Sequence, residues 1–403
     1  MSPSAVNGTT SHEHFENNLN LSILGLGVDY PPFLLGPEAL ETLANRFYPP
    51  SPALNKVLSI NRFTGIDTRA CVGDIDHPLV NRPDPPSIAE LNDEFRREGV
   101  RLSVNACKKA IAEWGGSVGE ITHVVSTTCT NSANPGFDHY VAIQLGLRPN
   151  VEKILLHGIG CSGGLAAIRA AANVALGSSF RKKPARVLVL ACEISTLLVR
   201  SELDSIDKEQ KTRIGACLFS DAASAAIVSN RIGEDEPSRP IYELLGWKHE
   251  ILPDSETDLG FDVDPHGWKV VLTPRVPAMA SAAVPPAFQA LLQSLPEFQK
   301  NGKLPMADAF DWALHPGGST IIKGVEQAMN ITEQHLQASY EIYIKYGNSS
   351  SATIMSVLDQ LRNNGEGREH VAACAFGPGI SLEMMILRRP RSEAAGLLTE
   401  DLD

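Results

Sequence analysis

No stretch constrains the fold of this chain more than Lys153 to Cys192. Lys153–His157 and Arg186–Cys192 are short runs rich in Val, Ile or Leu, bounded by turn or charged residues, and read as buried strands. Between them Ser162–Leu176, rich in Ala and Leu, reads as a buried helix that Gly177 and Ser178 end. Strand and helix are joined by Gly158-Ile159-Gly160-Cys161-Ser162-Gly163-Gly164. A strand running through a glycine turn straight into a helix belongs to α/β architectures. It also sets one thiol at a helix N-terminus, where the dipole and free N–H groups favour thiolate. The glycines let backbone approach a bound group closely. The plainer reading is a small core cysteine in a helix-start turn, and the four surrounding glycines weigh against it.

The rest of the chain repeats this logic. Ile121–Ser126 and Ala222–Ser229 read as further strands, and Asn81–Pro86, with three prolines, as a surface loop. After a Pro- and acid-rich connection at Gly233–Pro240, Phe310–Leu314 reads as a strand. Ser319–Met329 and Ser350–Arg362 then read as helices, and Val371–Ala375 and Ser381–Leu387 as strands around the turn Gly377-Pro378-Gly379. The expected organisation is a flexible, polar segment 1–20, an N-terminal half 21–235, a C-terminal half 236–390 and a tail 391–403. Two α/β halves of similar size suggest layers with internal pseudo-symmetry, although no residue-level self-similarity is visible.

Composition narrows the partners. A formal net charge of −12 gives no general attraction to nucleic acid or anionic membranes, so a phosphorylated substrate needs a local basic patch. The seven cysteines form no C-x-x-C pair, which argues against a zinc knuckle or a thioredoxin motif and fits a reducing compartment. The N-terminus lacks the basic and apolar regions of a signal peptide, and no apolar run reaches membrane-spanning length. A soluble, cytoplasmic protein is expected.

A nucleophilic cysteine needs a base. Of the 11 histidines, His315 stands out because Ala313-Leu314-His315-Pro316-Gly317-Gly318 puts it at the end of a buried strand, where α/β proteins gather catalytic groups. Asn348 lies in a similar glycine turn, Tyr346-Gly347-Asn348-Ser349-Ser350. On spacing alone it reads as the N-cap of the next helix.

Taken together, Gly160-Cys161 before a buried helix, His315-Pro316-Gly317-Gly318 and Tyr346-Gly347-Asn348-Ser349-Ser350-Ser351-Ala352 resemble the Cys, His and Asn motifs of the chalcone synthase family. These are the type III polyketide synthases of the thiolase superfamily. Ala375-Phe376-Gly377-Pro378-Gly379-Ile380 is similar to the family's Gly-Phe-Gly-Pro-Gly loop, with Ala375 in place of the first glycine. Leu218-Phe219-Ser220-Asp221 resembles the segment carrying a gatekeeper phenylalanine. The resemblance implies a five-layered αβαβα fold, a homodimer, and an active site at the end of a narrow CoA tunnel. It implies that Cys161 carries the acyl chain while His315 and Asn348 donate to the malonyl thioester carbonyl and stabilise the enolate formed on decarboxylation. A Cys–His pair would give thiolate at neutral pH, and preorganised donors suit a developing oxyanion. Gly317, Gly318, Ser350 and the loop Gly377-Pro378-Gly379 come with these motifs as substrate-lining residues. Acyl-CoA and malonyl-CoA are the expected substrates. No metal or organic cofactor is called for, since loss of CO₂ supplies the carbanion.

The departures from the plant pattern bear on substrate. Val271-Leu272-Thr273-Pro274 resembles the family's Gly-Leu-Thr-Phe, which would put Pro274 at a second gatekeeper position. Cys129 falls where many plant members have Ser or Thr, and Ser195 and Leu198 fall at cavity-shaping positions. A wider, more apolar pocket favours a fatty acyl starter, as in the fungal members this chain resembles, which make alkylpyrones, alkylresorcinols or resorcylic acids. Lys56, Arg62 and Arg69 are the candidate cations for the CoA phosphates. The alternatives are a single condensation of the ketoacyl-ACP synthase III kind, an HMG-CoA synthase, and, from a different class, an inactive acyl-CoA-binding protein.

Overall fold

The computed structural model describes residues 19–234, 238–299 and 303–390. The two termini and part of the Gly233–Pro240 connection lie outside the described residues. In chain order the strands are β1 (Ser22–Asp29), β2 (Phe33–Leu35), β3 (Arg69–Cys71), β4 (His123–Thr127), β5 (Glu152–Leu156), β6 (Arg186–Glu193), β7 (Ala222–Ser229), β8 (Tyr242–Ile251), β9 (Leu259–Asp264), β10 (Gly267–Leu272), β11 (Phe310–Leu314), β12 (His370–Gly377) and β13 (Ser381–Arg388). Nine of them form one sheet in the order β11-β12-β13-β8-β1-β7-β6-β4-β5.

That sheet contains the same topology twice. β4 pairs parallel with β6, β6 antiparallel with β7, and β7 antiparallel with β1. β11 pairs parallel with β12, β12 antiparallel with β13, and β13 antiparallel with β8. β1 and β8 join the two sets through only two partnered positions, Ser22↔Glu243 and Ile23↔Tyr242.

Between the two sets lie the helices Gly163–Phe180 and Thr353–Asn363, which pack on each other and on strands of both. Helix Val100–Trp114 covers the outer face of β1 and β7, and helix Val276–Ser294 packs on β8 and β13, backed by helix Ser319–Met329. The result is αβαβα layering. A central core holds Leu165, Ile168, Ile354 and Leu358; outer cores form around Leu102 and Ile111 on one side and Phe288 and Trp312 on the other. β6 and β7 are buried at every residue, which is why they read as unbroken apolar runs.

Small residues let the central helices approach. A Cβ at Gly164 would lie 2.5 Å from both the Ser351 carbonyl oxygen and Ile354 Cγ2. Each helix opens with a single 3₁₀ turn, Gly160–Ser162 and Ser350–Ala352, and these turns pack together. The second helix therefore begins in a 3₁₀ turn rather than running unbroken from Ser350. The first does not end at Gly177. It continues to Phe180; Gly177 faces open space, and the hydroxyls of Ser178 and Ser179 turn back onto the helix, donating to the Val174 and Ala175 carbonyls at 3.1 and 3.0 Å.

Candidate active site

The meeting of the two 3₁₀ turns creates the site. Gly160, at φ +53°, turns the chain into the first helix; a Cβ there would sit 2.7 Å from Pro378 Cδ, so the loop Gly377-Pro378-Gly379 packs directly on the nucleophile turn. Cys161 Sγ lies 3.4 Å from Ser350 Oγ in the facing turn, and Cys129 Sγ lies 3.4 Å from the same oxygen. Ser350 itself holds a left-handed φ of +49°, unusual for a side chain of its kind.

Asn348 is not the N-cap of the following helix: Ser349 takes that place for the 3₁₀ turn and Ala352 for the α-helix, neither with a side-chain bond. Its Oδ1 instead accepts the Ser350 N–H at 2.8 Å, closing a local turn two residues on. That fixes the amide so that Nδ2 is the end left for the site, and hydrogen bonding with Asn348 acts on the Cys161 thiol. Its backbone bridges to the strand end beside Phe219: Asn348 N–H donates to Leu218 O at 3.0 Å, and Ser220 N–H to Asn348 O at 2.9 Å.

His315 follows β11, and its N–H donates to Cys374 O at 2.8 Å. The ring is 1% exposed, and neither Nδ1 nor Nε2 has a hydrogen-bond partner. Two orphaned polar atoms on one buried ring are costly unless a ligand meets them. Gly317 and Gly318 turn the chain beside it; Gly318 O caps helix Ser319–Met329 by accepting from Ile321 and Ile322.

The expected thiolate–imidazolium pair is not what these surroundings support. Burial pushes the Cys161 thiol up to about 11, and the neighbouring Glu193 carboxylate adds to the rise; hydrogen bonding with Ser350 and Asn348 opposes it. Burial alone drives His315 down to about 3. There is no hydrogen bond between ring and thiol, and burial favours the neutral form of both groups in the free site.

Sequence reasoning missed Glu193. Fully buried at the end of β6, it accepts from Cys129 N at 3.1 Å, Thr130 N at 3.1 Å, Thr130 Oγ1 at 2.8 Å and Thr128 Oγ1 at 3.2 Å, and from the Ser351 hydroxyl. It thereby ties the Thr128–Thr130 loop to the second 3₁₀ turn. Burial raises its pKa, opposed by these donors.

Two cavities adjoin. A small chamber is lined by Cys161, Cys129, Gly160, Ser350 and Pro378. A larger, mostly apolar cavity is lined by Leu40, Leu43, Val80, Leu197 and, as expected, Ser195 and Leu198. Phe219, Phe261 and Val270 line both, and so form the wall between them. Phe261 and Val270 face each other across the β9–β10 ribbon, and the Phe219 and Phe261 rings meet edge to face with centroids 6.2 Å apart.

Pro274 is not a gatekeeper in this structure. β10 ends at Leu272, so Pro274 falls in the turn before helix Val276–Ser294, exposed and lining neither cavity; Val270 and Phe261 occupy the wall instead. The proposed cations also separate. Arg62 Nη2 is held by both Glu41 carboxylate oxygens at 2.6 and 2.7 Å. Arg69 is buried, and its Nη1 donates to Asn61 Oδ1 and to the Ala216 and Cys217 carbonyls, which makes it a structural clamp. Lys56 is exposed on helix Pro52–Arg62.

Residues 68–231 match the N-terminal domain of chalcone and stilbene synthases, and residues 243–390 match the C-terminal domain. The chain belongs to the chalcone and stilbene synthase family. It is 46% identical over 384 residues to the type III polyketide synthase pspB of Penicillium soppii, covering 92% of this chain and 96% of that one. It is 39% identical over 380 residues to the acylalkylpyrone synthase csyB of Aspergillus oryzae, covering 93% and 96%. Among solved structures, a type III pentaketide synthase from Neurospora crassa superposes with a TM-score of 0.90 at 57% identity, covering 92% of this chain and all of that one. CsyB complexed with CoA-SH gives a TM-score of 0.90 at 39% identity, with the same coverage. This family member is a condensing acyltransferase of the type III polyketide synthase kind. Among the described residues no helix is long and apolar enough to cross a membrane.

Proposed function

We propose that this synthase primes itself with a fatty acyl-CoA and extends the chain with malonyl-CoA. One observation carries the reading: the Cys161 chamber shares the wall of Phe219, Phe261 and Val270 with a largely apolar cavity, a lining suited to an aliphatic chain rather than to water. Cys161 Sγ attacks the starter thioester carbonyl; the new C–S bond forms, the bond to CoA breaks, and the thiol proton leaves with the CoA sulfur. The acyl chain then extends past Phe219, Phe261 and Val270. Malonyl-CoA loses CO₂, and the resulting enolate oxygen accepts from the amide of Asn348 and the imidazole of His315. A neutral imidazole serves well here, since it can donate without first being charged. The enolate carbon attacks the Cys161 thioester; the C–C bond forms, the C–S bond breaks, the extended chain departs on CoA, and the released thiolate takes a proton from solvent.

The Neurospora neighbour is named a pentaketide synthase and csyB an acylalkylpyrone synthase. Both names support repeated extension, with an alkylpyrone, alkylresorcinol or related product. Lys56 and Arg62 are the exposed candidate phosphate contacts, Arg62 being paired with Glu41, and a homodimer is the assembly this reading includes. The test is to incubate the protein with acetyl-, hexanoyl-, decanoyl- and palmitoyl-CoA plus malonyl-CoA, without carrier protein, and to identify products by mass spectrometry. Polyketides whose yield rises with starter length support the reading. Turnover only with an acyl carrier protein, or a preference for acetyl-CoA, contradicts it.

A further inference from the structure

The wall between chamber and cavity has an anchor that the reaction does not use. β9 and β10 form a separate two-stranded ribbon, a structure barely stable by itself, whose β9 edge is tied at Leu259 O by the Gly379 N–H at 2.8 Å. At the wall, the β10 edge is completed by a helix. Glu202, 1% exposed on helix Val199–Glu209, accepts the Val270 N–H on Oε1 at 2.6 Å. Arg213 Nη1 donates to the Val270 carbonyl at 3.2 Å and is itself held through Ser205 and Glu209 of that helix. Both backbone polar groups of one gate residue are therefore tied to one element. Val270 pairs with Phe261, and because its own N–H and C=O point outward, the two side chains stand as a close, non-hydrogen-bonded pair.

The other oxygen of Glu202 reaches the second gate wall. Oε2 has no hydrogen-bond partner, and it lies 3.0 Å from where a Cβ on Gly215 would be. Gly215 opens the short helix Gly215–Leu218 that leads into Phe219. The N–H groups of Gly215 and Ala216 come near enough to favour the carboxylate without reaching hydrogen-bond geometry. Burial nonetheless pushes Glu202 up to about 7, so the fold retains an acid in a place where apolar packing would cost less.

We propose that Glu202 is a specificity-positioning residue: by accepting the Val270 N–H it holds the β9–β10 ribbon, and Phe261 with it, at the setting that decides which acyl chains pass from the Cys161 chamber into the apolar cavity. This rests on the fatty acyl reading given above. The quantity to measure is the ratio of kcat/KM for decanoyl-CoA to that for hexanoyl-CoA. Glu202→Leu keeps bulk and removes the acceptor, and it should lower the ratio about tenfold, the worth of one hydrogen bond to a charged group. The loss should fall in KM for the longer starter. Glu202→Gln keeps an acceptor oxygen and should restore the ratio to within about twofold. Gly215→Ala tests the same wall while keeping the Glu202 carboxylate, because its Cβ would meet Val270 Cγ2 at 2.4 Å and Glu202 Oε2 at 3.0 Å; the ratio should fall there too. Thermal melts establish that each variant is folded, and if Glu202→Leu does not fold, the Gln and Gly215→Ala variants still give the answer. A wild-type ratio in folded Glu202→Leu or Gly215→Ala overturns the proposal, as does a Gln variant as impaired as Leu. A wild type that extends neither starter overturns the fatty acyl reading and this proposal with it.

Discussion

At the residue scale, the site is a set of polar atoms arranged for a substrate. Burial pushes the Cys161 thiol up to about 11, so its thiolate fraction should grow tenfold per pH unit below that value. Alkylation of Cys161 by iodoacetamide, followed by peptide mapping, should therefore accelerate steadily from pH 6 to pH 9. A plateau near neutrality would restore the thiolate–imidazolium pair. His315→Ala and Asn348→Ala should each slow malonyl-CoA decarboxylation by about 10²–10³, the usual cost of one oxyanion donor, as measured by release of labelled CO₂. A wild-type rate for Asn348→Ala would reduce Asn348 to its part in the local turn with Ser350. The three residues were legible because each ends a strand or opens a helix in a glycine turn. Their protonation was not, because it depends on burial and on Glu193, a carboxylate that nothing local in the sequence marks out.

At the element scale, function depends on turns and a ribbon more than on the sheet. Gly160→Ala places a side chain at φ +53° and against Pro378; it should cost about 1–3 kcal/mol in denaturant unfolding and lower activity further by displacing Cys161. Pro274→Phe should leave the starter-length profile unchanged, since the position is exposed, whereas Leu198→Trp should shift preference to shorter acyl-CoAs by filling the cavity that Leu198 lines. Comparative kcat/KM values across the acyl-CoA panel check both. Most strands of the sheet were legible as apolar runs, but β5, read as buried, is an edge strand whose first three residues are exposed, and β1 and β8 were not singled out. The β9–β10 ribbon was not, because Asp262, Asp264 and Lys269 interrupt any such run. Phe261 reaches the gate only because the hairpin register sets it opposite Val270, and register is a property of pairing rather than of local sequence.

At the scale of the whole molecule, one topology occurs twice, and the two copies meet at the N-termini of their central helices. That meeting brings Cys161 to Ser350 and Asn348, which lie far apart in the chain. The sequence shows two α/β stretches but no internal identity, because the repeat survives in strand order and helix placement while the side chains have diverged. The central claim is that Cys161 takes an acyl group beside an apolar cavity. Intact-mass analysis of the wild type and Cys161→Ala after incubation with decanoyl-CoA tests it most directly. The account predicts one added decanoyl group on the wild type, mapped to Cys161, and none on a folded variant; a full adduct on Cys161→Ala, or none on the wild type, would contradict it.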